Sequence, residues 1–293
     1  MENGLYSYLK SKKEYVILFF VLLGLLICSF IAFSFLDLDA SKLIESYDTT
    51  FGKIFSDFFY VIGYVPAILV NALFFIVWLA LSKKKWLKFL FGFIAHFHLT
   101  FASVVLTEAL RDNSALHMSI SLLIATAIFV PSVIFTRKIN DDSLHKLFYL
   151  ALIGVVFGTI VNSVTAGLQY TWGRNRFYYV ESGHPYTPWY LPNGPSGKRE
   201  ETSFPSMHTS SSFSMIFLIM LAWAFDFKKS IKIMLIVVAL IIMICVPISR
   251  VVMGYHYMTD ILFSLIASML VFLLSLMLVD RLYFKKREMK KAE

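Results

Sequence analysis

The sequence has only two cysteines, Cys28 and Cys245, and both lie within apolar runs. Two cysteines in such surroundings suit neither a disulfide framework nor a metal site, so we expect them to be packing residues. The chain also lacks a recognisable soluble domain, a low-complexity tract and a clear internal repeat. These absences exclude a disulfide-stapled scaffold and a chain built from repeats or soluble modules.

Apolar residues are abundant instead. Hydrophobic residues fill 58% of the 293 positions, phenylalanine alone occurs 29 times, and the mean hydropathy is +0.71. A helix that crosses a bilayer needs about 20 mostly apolar residues. We therefore predict an all-α, polytopic integral membrane helical bundle with eight spans, near 15–36, 58–81, 86–107, 118–136, 147–168, 209–225, 231–248 and 259–279.

The N-terminal apolar run, from Tyr15 to Leu36, follows a lysine-bearing start and raises the alternative of a signal peptide. The run is longer than a usual signal core and no small-residue cleavage site follows it, so we predict a retained anchor. The next segment, 37–57, mixes Leu38 and Ile44 with acids and lysines. An amphipathic helix at the membrane surface and an ordinary polar loop are equally favoured there.

The net charge of +8 comes from basic residues that cluster in alternate loops. Near the N-terminus, around 83–88, 137–146 and 228–232, and in the tail lie 19 of the 27 lysines and arginines. The positive-inside rule places these segments and both termini in the cytoplasm. The loops near 37–57, 108–117, 169–208 and 249–258 are then extracytoplasmic. No basic groove is interleaved with aromatics, so we expect no nucleic-acid partner.

The loop at 169–208 is the longest and is rich in tyrosine and tryptophan. Aromatic side chains with a polar tip favour the headgroup level of a bilayer. A long loop without evident secondary structure is usually functional or disordered, and the aromatic content argues against disorder. We predict a lid along the membrane surface.

Ser203-Phe204-Pro205-Ser206-Met207-His208 precedes the sixth apolar run. Serine and proline are typical of a helix start, where free N–H groups and the helix dipole favour an anion. Ser206 offers a hydroxyl donor there, and His208 offers a general acid. Alone this is weak evidence, because a histidine near a helix start is more often a solvated or capped residue.

A second cluster strengthens the case: Ser249-Arg250 closes the seventh span, and His256 and Asp260 lie where the eighth begins. The i, i+4 spacing puts imidazole and carboxylate on one helix face. A carboxylate there keeps one ring nitrogen protonated and leaves the other free to attack. Arg250 offers a planar fork for phosphate oxygens. The alternative, a capped helix with a local His–Asp pair, leaves an arginine on the side poor in positive charge unexplained.

A third cluster, Gly173-Arg174-Asn175-Arg176-Phe177, follows the fifth span. Two arginines beside a bilayer on the non-positive side are expected to bind an anion, and the alternative is contact with lipid headgroups. Arg111 and Arg199 belong to no histidine-bearing cluster, so we interpret them as solvated loop charges. All three clusters face one side of a topology that was derived from charge alone, which supports a single site.

The order Gly-Arg-x-Arg, Ser-Phe-Pro-Ser-x-His and Ser-Arg-x5-His-x3-Asp resembles the type-2 phosphatidic acid phosphatase superfamily, which is related to the vanadium haloperoxidases. The motifs cover about 169–260, and the similar helical core is expected from near 86 to 280. Six core helices are usual in that family, so the two N-terminal spans would be an addition. We predict N-terminal spans with an interfacial segment over 1–85 and a catalytic membrane domain over 86–293.

The resemblance implies that His256 forms a phosphohistidine and that Asp260 orients it. It also implies that His208 protonates the leaving group and later activates water. Neither a metal nor a cofactor is implied. The predicted phosphate site comprises Arg176, Arg250 and Ser206 by resemblance, together with Arg174, Gln169 and Met207.

Three positions depart from the family's pattern. Gln169 stands where the family has a lysine, Phe177 where it has a proline and Met207 where it has a glycine. The lost lysine removes a positive charge from the predicted phosphate site. Met207 is expected to crowd the helix start. The nucleophile, its orienting carboxylate and the acid are present, so we expect activity with an altered substrate preference.

His96, His98 and Glu108 are the main rivals for a site, because ionisable groups at membrane depth are functional candidates. The two histidines are two residues apart and so point to different faces. We favour structural hydrogen bonding for them.

The sequence predicts a metal-independent phosphatase that hydrolyses a phosphate or diphosphate monoester of a lipid at the outer face of a bacterial-type cytoplasmic membrane. Isoprenyl diphosphate, phosphatidate and phosphatidylglycerophosphate are all candidate substrates. One alternative is a phosphotransferase on the same scaffold, and another is a non-catalytic lipid-binding or transport protein. The expected partners are the lipid substrate and the bilayer, with no obligate protein partner.

Overall fold

The computed structural model describes residues 4–55, 59–107 and 114–292, and every regular element within them is a helix. Seven helices in this described part are long and apolar enough to cross a membrane, so the chain is a multi-pass membrane protein. The predicted all-α polytopic bundle is confirmed. The helices are α1 (Gly4–Ser11), α2 (Lys13–Ile44), α3 (Thr50–Lys53), α4 (Phe59–Leu81), α5 (Lys85–Leu106), α6 (Ser114–Thr136), α7 (Asp141–Trp172), α8 (Phe177–Glu181), α9 (Met207–Ser212), α10 (Ile216–Ala224), α11 (Lys229–Val252) and α12 (Met258–Ala292).

The second predicted span corresponds to the 23-residue helix α4, which is not among these seven, and its fully described part, Ile68–Leu81, is apolar. The total of eight spans therefore stays a prediction, and so does the sidedness that depends on it. Glu108 and Arg111 lie outside the described residues.

Helix α2 is longer than the first predicted span, because it continues past Asp37 to Ile44. The prediction ended the span at Leu36, just before the charge of Asp37. In the structure this carboxylate is buried and lies 2.8 Å from the guanidinium of Arg174, so the acid is satisfied inside the fold and does not end the helix. The first part of segment 37–57 thus extends α2, α3 lies in its later part, and the interfacial placement stays a prediction.

The sixth predicted span is divided into α9, a 3₁₀ turn over Phe213–Met215, and α10. Hydroxyl groups account for the break. Ser212 Oγ donates to the carbonyl of Thr209 at 2.9 Å, and such local bonds compete with the regular helical ladder. The serine-rich start of the span is therefore a short helix of its own, and it carries His208.

The chain forms two compact units, and the first combines Met1–Gly63, Phe157–Phe213 and Leu240–Glu293. In this unit α12 packs along α2. Val251 and Ile261 are buried in its core, with Phe30 of α2 packed against them. Every predicted catalytic and phosphate-binding residue belongs to this unit.

The second unit combines Tyr64–Val156 and Ser214–Ala239, and α5 packs against α6 within it. Small buried residues such as Ala95 and Ala125 allow membrane helices to approach closely. Both units are assembled from separate stretches of the sequence, and the predicted domain boundary at residue 85 stays a prediction.

The two histidines of α5 have partners within the second unit. His96 Nε2 lies 3.1 Å from the hydroxyl of Thr126, and His98 Nδ1 lies 2.8 Å from the carbonyl oxygen of Ile94. The His98 ring also stacks on Phe75, with 5.6 Å between the ring centroids. These are structural contacts of the kind that the sequence favoured.

Candidate active site

A glycine turn at the end of α7 brings two arginines into the interior. Gly173 has φ of 62°, and a Cβ on it would lie 2.1 Å from the carbonyl oxygen of Gly194. Only glycine combines this left-handed backbone with such a close approach. Arg174 and Arg176, which follow the turn, are both buried.

Arg174 is an interior ion-pair partner. Its Nη1 donates to Asp260 Oδ1 at 2.6 Å and to Thr259 Oγ1 at 2.9 Å. Its Nη2 donates to Asp37 Oδ2 at 2.8 Å, and its guanidinium lies 4.0 Å from the ring centroid of Tyr257. The prediction that Arg174 faces the phosphate disagrees with this geometry. The physical reason is that a buried guanidinium between two carboxylates is already paired.

Arg176 has a different environment. Its Nη2 lies 3.4 Å from the hydroxyl of Thr202, and no described residue accepts a hydrogen bond from its Nε. Within the described parts of the chain, no carboxylate forms an ion pair with Arg176. A buried cation in this state favours a bound anion.

The segment that precedes the sixth span starts a helix, as its serine and proline indicated. Ser206 is the N-cap of α9, and its Oγ accepts from the N–H and from the hydroxyl of Thr209. The Ser206 hydroxyl hydrogen is therefore available for another acceptor. His208 follows in the first turn and is buried.

The three departures from the family pattern lie around this segment. Gln169 donates its side-chain amide to the carbonyl of Pro205 at 2.7 Å, so it supports the backbone before α9. Met207 is the first residue of α9 and is half-buried. Phe177 is buried, with its ring edge-on to Tyr257. Direct phosphate contacts for Gln169 and Met207 stay predictions.

A second glycine turn, after α11, explains the five-residue spacing between Arg250 and His256. Gly254 has φ of 64°, and a Cβ on it would lie 2.9 Å from the ring of Tyr47. The chain folds back there, so that the N–H groups of Tyr255 and His256 donate to the carbonyl of Arg250 at 2.9 and 3.2 Å. The turn therefore places His256 beside Arg250.

The Tyr255 ring packs against Arg250 and Arg176, which are called the clamp below. Its ring centroid is 4.1 Å from Arg250 Cζ and 5.9 Å from Arg176 Cζ. Guanidinium groups pack favourably on aromatic faces. The structure thus brings together Arg250 from α11 and Arg176 from the loop after α7.

His256 is fully buried, and two acceptors fix its tautomer. Nδ1 lies 2.7 Å from the carbonyl oxygen of Ser203 and 3.5 Å from Asp260 Oδ2. Neither oxygen has a hydrogen to donate, so Nδ1 carries the proton and Nε2 carries the lone pair. None of the residues that the structure describes forms a hydrogen bond with Nε2, and the ring centroid of His208 lies 6.1 Å from that of His256.

Burial lowers the pKa of His256 to about 4, and the hydrogen bond to Asp260 opposes this shift. The positive charges of Arg176 and Arg250 lower it further. A group with a lowered pKa is deprotonated above that value, so the His256 ring is neutral at pH 7. A neutral imidazole with a free Nε2 is the form that a nucleophile requires.

Asp260 is held by donors on both oxygens. Oδ1 accepts from Arg174, while Oδ2 accepts from Ser203 Oγ at 2.5 Å and from the N–H of Tyr257 at 2.9 Å. The i, i+4 alignment with His256 is present, but the shorter contact to Nδ1 comes from the Ser203 carbonyl. The carboxylate is therefore immobilised beside the imidazole rather than being its closest acceptor.

The loop between α7 and α9 packs on the N-terminal helix. Trp189 lies 4.7 Å from Phe30 of α2 and 5.9 Å from Phe204, as measured between ring centroids. Arg199 is exposed and helps line a pocket of about 300 Å³ beside Tyr255. The predicted lid is thus anchored on α2, and Arg199 lies next to the clamp rather than on an unrelated loop surface.

Three residues that the motifs did not assign hold this site together: Asp37, Ser203 and Thr259. Asp37 follows a long apolar run, at the end of the span that is predicted to face the same side of the membrane as the arginines. This position is the one signal in the sequence that points to Asp37. Ser203 opens the second motif, but nothing in the sequence indicates that its carbonyl faces His256. Thr259 lies inside the His-x3-Asp spacing.

Among the described residues, no group of three or more histidine, cysteine, aspartate or glutamate side chains could hold a metal ion. No curated protein and no solved structure matches the chain significantly. The family model described as the PAP2 superfamily matches residues 144–284, which include all three motifs. This match supports the assignment of residues 144–284 to the PAP2 superfamily.

Proposed function

We propose that the protein is a metal-independent lipid phosphatase that hydrolyses a phosphate or diphosphate monoester through a phosphohistidine. The match of residues 144–284 to the PAP2 superfamily supports a phosphatase-type function on a membrane protein. The observation that carries the finer proposal is the state of His256: Nδ1 is committed to acceptors, and Nε2 is neutral and unpartnered.

In the first step Nε2 of His256 bonds to the terminal phosphorus, and the bond from that phosphorus to the leaving oxygen breaks, which is the ester oxygen of a monophosphate or the bridging oxygen of a diphosphate. His208 gives its proton to the departing oxygen, and the charge of the bound phosphate favours the protonated form of His208. The ring centroids of His208 and His256 lie 6.1 Å apart, so both histidines can serve one phosphoryl group.

In the second step His208 takes a proton from water, and the resulting hydroxide attacks phosphorus. The bond to Nε2 breaks, inorganic phosphate leaves, and the His256 ring is neutral again. Arg176, Arg250 and the Ser206 hydroxyl would hold the phosphate oxygens during both steps. Arginines are worth most in a site from which water is excluded, and all three residues are buried.

Release of inorganic phosphate by the purified protein tests this function. Isoprenyl diphosphate, phosphatidate and phosphatidylglycerophosphate are presented in detergent micelles with excess EDTA, and orthovanadate is added in parallel. We expect phosphate release from at least one lipid. This activity should persist in EDTA, because arginines rather than a metal cation hold the phosphate, and it should be inhibited by vanadate. Transfer to a second lipid without release favours the phosphotransferase, and inactivity on every lipid favours a non-catalytic protein.

We also propose that the site opens to the extracytoplasmic side of a cytoplasmic membrane, with both termini inside. Charge in the loops supports this placement. In a cysteine-free background, Gly197→Cys should react with an impermeant thiol reagent in intact cells. A Cβ at Gly197 meets nothing within 4 Å, so the variant is sterically tolerated.

The exposed Ser230 provides the matched position. Ser230→Cys should react only after the cells are permeabilised. The reverse pattern would place the site in the cytoplasm and remove extracytoplasmic lipids from the candidate substrates.

A further inference from the structure

We infer that Asp37 is a positioning residue for the nucleophile His256, acting through Arg174 and Asp260. Asp37 lies in α2, outside residues 144–284 that match the family. The inference rests on the proposed function, and it makes the N-terminal helix part of the catalytic unit rather than a separate anchor.

Asp37 is bonded to the first turn of α12, the helix that carries Asp260. Asp37 Oδ1 accepts from the backbone N–H of Thr259 at 3.0 Å, and Oδ2 accepts from the Thr259 hydroxyl. Oδ2 also accepts from Arg174, and Arg174 Nη1 reaches both Thr259 and Asp260. One carboxylate thus fixes the helix start and the guanidinium together.

The charges give this arrangement a chemical consequence. Arg174 and Asp260 alone would form a neutral pair, and Asp37 makes the buried group negative by one charge. When Nε2 of His256 bonds to phosphorus while Nδ1 keeps its proton, the ring becomes positive. A negative charge nearby in a dry site stabilises that ring. Without Asp37, Arg174 would cancel most of the effect of Asp260.

The rest of α2 holds Asp37 in place. Ser34 Oγ accepts from the indole N–H of Trp189 at 2.8 Å. Phe30 packs against Trp189 and Phe263, with ring centroids 4.7 and 6.2 Å away. The helix is therefore docked independently of the Asp37 charge, so a charge-removing substitution does not need to displace it.

The test is Asp37→Asn in the full chain, with phosphate release from short-chain phosphatidate as the assay. The amide keeps the volume and leaves a neutral Arg174–Asp260 pair, so the variant is expected to fold. We expect kcat to fall about 10- to 100-fold, with KM within about twofold of wild type. Asp39→Asn, which removes the same charge from an exposed position of α2, should keep kcat within about twofold.

A charge-retaining variant separates the charge of Asp37 from general damage. Asp37→Glu keeps the negative charge, so its kcat should fall less than that of Asp37→Asn. Equal losses of kcat for the two variants, or a folded Asp37→Asn variant with wild-type kcat, would overturn the inference.

If Asp37→Asn does not fold, Thr259→Val tests the same link by removing the hydroxyl between Asp37 and Arg174. A several-fold fall in kcat is expected, and an unchanged kcat would overturn the inference. The proposed function fails separately, if His256→Ala retains activity. An inactive His256→Ala beside a fully active Asp37→Asn would remove only the role of Asp37.

Discussion

Replacing His256 with alanine is expected to reduce phosphate release by roughly 10⁴- to 10⁶-fold, as loss of a nucleophile does in other hydrolases. No neighbour replaces it, because the His208 ring lies 6.1 Å away and serves the leaving group. His208→Ala should also block turnover, yet it leaves Nε2 of His256 intact. A substrate with a good leaving group, such as p-nitrophenyl phosphate, should therefore still phosphorylate the His208→Ala variant.

The matched control is His184→Ala. His184 is exposed and stacks on Tyr179, 3.5 Å away between ring centroids, without contact to the clamp. We expect wild-type steady-state rates for this variant. Undiminished phosphate release from both His256→Ala and His208→Ala would end the assignment.

The second large effect concerns the two arginines after α7, which the structure separates by role. Arg174→Ala leaves the carboxylates of Asp37 and Asp260 buried without their cation, so we expect a loss of about 3–5 kcal/mol of stability together with activity. Arg176→Ala removes a cation that forms no ion pair with any carboxylate in the described part of the chain. We expect kcat/KM to fall about 10²- to 10³-fold at nearly unchanged stability.

Thermal unfolding in detergent and kcat/KM, measured on the same preparations, distinguish the two roles. The expected pattern is a lower unfolding temperature for Arg174→Ala alone and reduced activity for both variants. If Arg174→Ala unfolds like wild type and Arg176→Ala is the destabilised variant, the roles are exchanged. A lysine at position 169 should not rescue Arg174→Ala, because Gln169 bonds to Pro205 rather than to either carboxylate.

Much of the fold and of the site follows from local pattern. Apolar runs of spanning length predict membrane helices regardless of their neighbours. The i, i+4 spacing of His256 and Asp260 and the serine-proline helix start are local geometry as well, and the structure has both. The turn at Gly254 explains how Arg250 and His256 come together although five residues separate them. The sequence shows this spacing but not the turn.

The misjudged features depend on partners that are distant in sequence. Asp37 looks like the end of a span, because a carboxylate in an apolar helix is costly until a cation is found for it. That cation is Arg174, separated from it by 137 positions. The same pairing turns Arg174 from an expected phosphate ligand into an internal partner, and no local pattern distinguishes it from Arg176.

The central claim is that Nε2 of His256 becomes phosphorylated, and trapping that intermediate tests it most directly. The His208→Ala variant is incubated with ³²P-labelled p-nitrophenyl phosphate, quenched in alkali and mapped by peptide mass spectrometry. We predict an acid-labile, alkali-stable label on the peptide that contains His256, and no label in the His256→Ala/His208→Ala double variant. A label on any other residue, or phosphate release without a labelled protein intermediate, would contradict the mechanism.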